Sequence, residues 1–63
     1  MISAGDILKI NWVYDSPHSS KKSRPMYPQG VVKHIFTGCD HPYQMVSEWG
    51  DPMGWADDDC IRR

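Results

Sequence analysis

Gly30-Val31-Val32-Lys33-His34-Ile35-Phe36-Thr37 is the stretch on which the fold turns. A glycine opens it, and its apolar members are β-branched or aromatic, the types that suit a pleated, half-buried surface. The spacing predicts a strand over 31–37. Strict alternation puts Val32, His34 and Phe36 on one face and Val31, Lys33 and Ile35 on the other. A bulge near His34 would instead bring Val32 and Ile35 to the same side.

Upstream, Leu8, Ile10, Trp12 and Tyr14 fall two apart with Lys9 and Asn11 between them, the period of a half-buried strand over 7–14. Ile7 and Val13 blur that alternation. Downstream, Tyr43 to Trp49 reads as a third strand, with Tyr43, Met45, Ser47 and Trp49 on one face. Gly50-Asp51-Pro52 reverses the chain and Met53 to Ala56 makes a short fourth strand. Asp57-Asp58-Asp59 has no strand propensity and suits one exposed 3₁₀ turn. Cys60 to Arg63 then supplies a last strand against the first. No segment has the length and period of an ordinary helix.

Two connections remain. Gly38-Cys39-Asp40-His41-Pro42 is rich in residues that favour turns. Residues 15–30 carry Pro17, Pro25 and Pro28 among several serines, and prolines cannot donate ladder hydrogen bonds. This stretch is expected to be a long loop, or an extended hairpin arm with Met26 and Tyr27 folded back onto the core. The sequence thus predicts a single all-β domain over 1–63. A chain this short buries only about 60% of the surface its unfolded form exposes, so the core is small and rings supply much of it. Stability of a few kcal/mol is expected.

Gly5-Asp6 before the first strand, Gly30 to Ile35, Tyr43-Gln44-Met45, and Trp55 followed by the acidic turn to Cys60 are similar to the layout of SH3-like small β-barrels. The first two elements resemble KOW-type modules, although the proline-bearing loop is much longer than in those. The likeness spans nearly the whole chain in short, degenerate pieces. It implies a five-stranded barrel with a long loop between strands 1 and 2 and a one-turn 3₁₀ helix before the last strand. A free-standing chain of this size also resembles compact accessory proteins of phages and mobile elements. SH3-like barrels build shallow grooves from the loop after the first strand and exposed aromatics. By resemblance the candidates here are Tyr27, Trp49 and Trp55, edged by Arg24 and by Asp57 to Asp59. The implied function is a small non-enzymatic binding or inhibitory module for another protein. The dense Tyr and Asp pattern of proline-rich-peptide receptors is missing, so that ligand class is not implied.

Charge gives a second reading. The chain has a formal net charge of -1, but residues 15–34 hold Lys21, Lys22, Arg24 and Lys33 against Asp15 alone, whereas residues 48–59 hold Glu48, Asp51, Asp57, Asp58 and Asp59 with no cation. The basic loop beside Tyr27 and His34 combines phosphate-pairing charge with stacking rings, which supports nucleic-acid or ribonucleoprotein binding as the alternative. A sequence pI of about 6.2 is not the global signature of a nucleic-acid binder.

Cys39 and Cys60 are too few for a disulfide framework, and no secretory leader or run of ~20 apolar residues is present. Reduced thiols, a cytoplasmic location and no membrane partner are expected. Cys39-Asp40-His41, with His18, His34 and Cys60 elsewhere, invites a zinc site, yet neither Cys-x₂₋₄-Cys nor His-x₃₋₅-His spacing occurs, so no metal or cofactor is expected. Cys39 with His41 or His34 could be drawn as a nucleophile and base, but no orienting group or oxyanion element accompanies them, and no enzymatic activity is expected. An open barrel edge leaves the chain as a monomer or an edge-paired homodimer.

Overall fold

The glycine-led stretch pairs on both sides in the computed structural model, which describes residues 1–62. The strands are β1 (Ile7–Lys9), β2 (Val13–Tyr14), β3 (Lys22–Ser23), β4 (Gln29–Ile35), β5 (Tyr43–Val46) and β6 (Pro52–Ala56), followed by a 3₁₀ turn (Asp58–Cys60). All pairings are antiparallel, in the order β1-β4-β5-β6-β2-β3. Over the described residues the chain is therefore all-β, with six short strands rather than the expected five and with β1 and β3 at the ends of the hydrogen-bonded order.

Three differences from the sequence expectation have identifiable causes. The first run is two strands, because inward positions change parity within it. Ile10 is buried as the even spacing requires, but Val13 is buried next and Trp12 is only half-buried. The chain bends over residues 10–12, so β1 bonds to β4 while β2 bonds to β6. One short stretch thereby serves both flanks of the β4-β5-β6 array. In β4 the register shifts between Val32↔Met45 and His34↔Gln44, which makes Lys33 an extra residue. This is the bulged alternative: Val32 is buried, Ile35 packs against the core, and His34 is exposed. The third strand stops at Val46 instead of Trp49. Buried Ser47 accepts hydrogen bonds at its Oγ from the Trp49 N–H at 3.1 Å and the Asp51 N–H at 2.9 Å, a local arrangement that competes with the ladder.

The expected long loop is subdivided by β3, whose partner is β2. The expected last strand over 60–63 reduces to a single bridge, Ile10↔Ile61. Flanking bonds run from the Asn11 N–H to the Cys60 carbonyl and from the Arg62 N–H to the Lys9 carbonyl, and Arg63 lies outside the described residues.

Ile10, Val13, Val32, Met45, Met53, Ala56 and Cys60 form the core, with Leu8, Tyr14, Tyr27 and Tyr43 among the half-buried side chains packed on it. Such a small core leaves little room at strand crossings. A Cβ on Gly54, where φ is +123°, would lie 2.8 Å from the Tyr14 carbonyl oxygen and 3.1 Å from the Val13 Cβ. One on Gly30 would lie 2.9 Å from the Val46 carbonyl oxygen and 2.6 Å from the Met53 sulfur. Among the described residues no helix is long and apolar enough to cross a membrane.

Candidate functional site

The loop after β2 is held by a histidine that sequence reasoning left in a solvated turn. His41 is only 9% exposed. Its ring lies flat on Tyr14, with centroids 3.4 Å apart and planes 5° from parallel. Nδ1 meets Asp57 Oδ2 at 2.7 Å and Nε2 meets the Ser19 carbonyl at 2.7 Å, while the His41 backbone N–H donates to the Pro17 carbonyl. Both ring nitrogens face oxygen partners, and which of them donates is set by the ring's tautomer. An exposed pair, His18 Nδ1 to Asp40 Oδ2 at 3.2 Å, lies across the same two segments. The latch fixes residues 15–21 and with them the start of β3.

Asp57 joins this latch to the 3₁₀ turn. Its Oδ1 accepts from the Asp59 N–H at 3.0 Å, capping the turn, and from the Cys60 thiol at 3.4 Å. Burial pushes its carboxyl up, but the hydrogen bonds from His41, Cys60 and the Asp59 N–H outweigh burial and hold it below the ordinary carboxylate value. The Cys60 thiol is pushed up to about 11, chiefly by burial and further by donating to Asp57. At neutral pH it is a hydrogen-bond donor and not a thiolate nucleophile. Tyr43 is likewise raised, first by donating its hydroxyl to Asp58. The Cys39 and His41 pair drawn from the sequence is not assembled as a nucleophile and base, since both His41 nitrogens are committed to Asp57 and Ser19. Among the described residues no three His, Cys, Asp or Glu side chains converge as a metal ligand set.

The depressed Asp57 carboxyl has a pH consequence with a defined sign. The unfolded chain takes up this proton at a higher pH than the folded chain, so the stabilisation is fully present above the ordinary carboxylate range and is lost as pH falls through the folded value. Acid unfolding should therefore steepen below about pH 4, and Asp57→Asn should flatten that limb while lowering stability at neutral pH. Chemical denaturation of both proteins from neutral to acid pH checks this.

The six residues singled out from the sequence do not form one site. Lys22 and Arg24 flank Trp12, with the ammonium 5.3 Å and the guanidinium carbon 5.8 Å from the indole. The pairing Tyr14↔Lys22 and Val13↔Ser23 explains it, because Trp12 and Arg24 follow two residues on along the same face. Lys21 is exposed just before β3, its N–H donating to Ser19 Oγ. Tyr27 and Trp49 meet at 5.3 Å with a 49° tilt, so the loop before β4 and the turn after β5 share one corner. Trp49 is 75% exposed and Met26 73% exposed, whereas Tyr27 is half-buried against the core. Beside them runs a groove of about 280 Å³ lined by Arg24, Met26, Tyr27, Pro28, Asn11 and Arg62.

Trp55 stands apart. It sits on the outer face in the cross-strand row His34, Gln44, Trp55, Tyr14, touching Phe36 at 5.2 Å. The depression beside it is larger, about 360 Å³, but carries both Asp15 and Lys33 and no freely exposed ring. The corner is the better candidate because its aromatic anchor is exposed yet braced, and the groove beside it carries only basic charged side chains, Arg24 and Arg62. Met26, Trp12 and Arg62 were not singled out from the sequence. Trp12 was readable only as a strand residue, and Arg62 joins the groove through the bond of its N–H to the Lys9 carbonyl.

Compared with known proteins, the chain matches no family model, no curated protein and no solved structure at a significant level. The geometry of the corner therefore carries the functional reading.

Proposed function

We propose that this chain is an SH3-like small barrel acting as a non-enzymatic binding module that recognises another protein through the Tyr27 and Trp49 corner. The barrel reading is supported by the bend at residues 10–12, which lets one stretch pair with β4 at one flank and β6 at the other, and by the 3₁₀ turn that brings Ile61 back to Ile10. The functional reading rests on one observation, the 75%-exposed Trp49 braced by a half-buried tyrosine. An indole already held in place loses little freedom on binding, and tryptophan is among the side chains that anchor protein interfaces.

A second reading has its own observation: Lys22 and Arg24 gathered over Trp12 combine cations with a stacking ring, as nucleic-acid contacts do. Capture with the tagged full chain, followed by nuclease digestion, separates the two. A protein retained through digestion by the parent chain and lost with Trp49→Ala is the expected result. The loss should be at least about 2 kcal/mol, roughly thirtyfold, if Trp49 is the anchor. A partner released by nuclease, or retained equally by Trp49→Ala, contradicts the proposal.

A further inference from the structure

We infer that the corner binds a short acidic segment of its partner, which places an apolar side chain on Met26, Tyr27 and Trp49 and carboxylates on Arg24 and Arg62. This rests on the protein-binding reading above and adds the chemistry of the partner. Among the described residues both ion pairs use histidine, and no lysine or arginine side chain pairs with a carboxylate. The groove's two arginines are thus without an acidic partner within the described chain, and Arg24 is already oriented by the Trp12 ring. A guanidinium matches a carboxylate in a two-point fork, so an arginine held in place without one is a ready acceptor site for an acidic residue.

Several of the chain's own acids are engaged elsewhere. Asp57 holds His41 and caps the 3₁₀ turn, Asp58 accepts from Tyr43, and Glu48 accepts from the Gln29 side-chain amide at 2.6 Å. The groove is at the small end of ligand sites, which suits one or two side chains rather than an extended polymer. A nucleic acid fits less well. Its regularly spaced phosphates would pass Glu48 and Asp51, which flank Trp49 and Gly50 in the same turn, whereas a peptide can place its few carboxylates at the arginines alone.

The test uses the full chain to sort a surface-displayed library of random peptides, with single-stranded oligo(dT) titrated in parallel. The expected result is enrichment of peptides carrying Asp or Glu close to an aliphatic or aromatic residue, with binding reduced at least tenfold by the double change Arg24→Gln and Arg62→Gln. Both side chains are exposed, and an unchanged thermal midpoint shows that the fold is intact. Enriched peptides without acidic bias, or binding unaffected by the double change, overturn the inference. If those peptides still lose binding with Trp49→Ala, the protein-binding reading stands. No enrichment, with oligo(dT) binding that is indifferent to Trp49→Ala, overturns both.

Discussion

Alanine in place of His41 is expected to lower the unfolding free energy by about 2–4 kcal/mol, the largest effect of any side-chain truncation outside the apolar core. Three losses combine: the stacking contact with Tyr14, the hydrogen bond to the Ser19 carbonyl, and the partner of a mostly buried carboxylate. Leaving a fully buried carboxylate without its partner costs about 3–5 kcal/mol, and the lower range reflects an Asp57 side chain still 21% exposed. In a domain of this size the thermal midpoint should fall by on the order of 10–20 °C. The loop should respond more than the core. Trypsin cleavage after Lys21 and Lys22 is expected to accelerate in His41→Ala under conditions where the domain remains folded. His41→Gln, which keeps one amide donor, should fall between the two. A midpoint shift under about 4 °C, with unchanged cleavage, would show that the latch bears little of the fold.

Gly54→Ala is expected to cost a similar amount for a purely steric reason. At φ +123° an L side chain is strained by about 1–3 kcal/mol, and the added methyl meets the Tyr14 carbonyl oxygen at 2.8 Å, where overpacking adds about 1–3 kcal/mol more. That is comparable to the entire stability expected for a domain this small, so the variant should be largely unfolded at room temperature. Gly38→Ala is the control, since φ there is +90° but nothing lies within 4 Å of the new Cβ. Its cost should stay near the conformational part alone, about 1–2 kcal/mol. Equal losses in the two variants, by urea denaturation, would mean that β2 does not cross β6 this closely.

These two positions mark what can and cannot be read from the chain. The β-branched run of β4, the Gly50 reversal and the acidic 3₁₀ turn were legible because each depends on neighbours in sequence. The bend between Ile10 and Val13 left a trace, a valine out of phase, but its meaning required knowing that β6 lay within reach of Val13 and Tyr14. Ser47 looked like one more alternating strand residue. It ends β5 because its hydroxyl satisfies two turn N–H groups, a choice made by geometry over four residues. His41 and Asp57 are sixteen residues apart, and nothing local announces their contact. At the candidate site Tyr27, Trp49 and Arg24 were readable as exposed or loop-borne anchors. Trp55 lies apart from them on the outer sheet face, a separation the sequence could not show because a tryptophan there and one on a corner have the same local signature. Arg62 was missed because it enters the groove only through the return of the chain to β1.

We propose the Tyr27 and Trp49 corner, and not the lysines beside Trp12, as the recognition surface. Titration of the nuclease-resistant partner against the parent chain, Trp49→Ala, and the combined Lys21→Ala and Lys22→Ala chain at low and physiological salt tests it most directly. The account predicts a loss of roughly thirtyfold for Trp49→Ala at both salt concentrations and less than about threefold for the lysine changes. A steep salt dependence, with binding abolished by the lysine changes and untouched by Trp49→Ala, would contradict it.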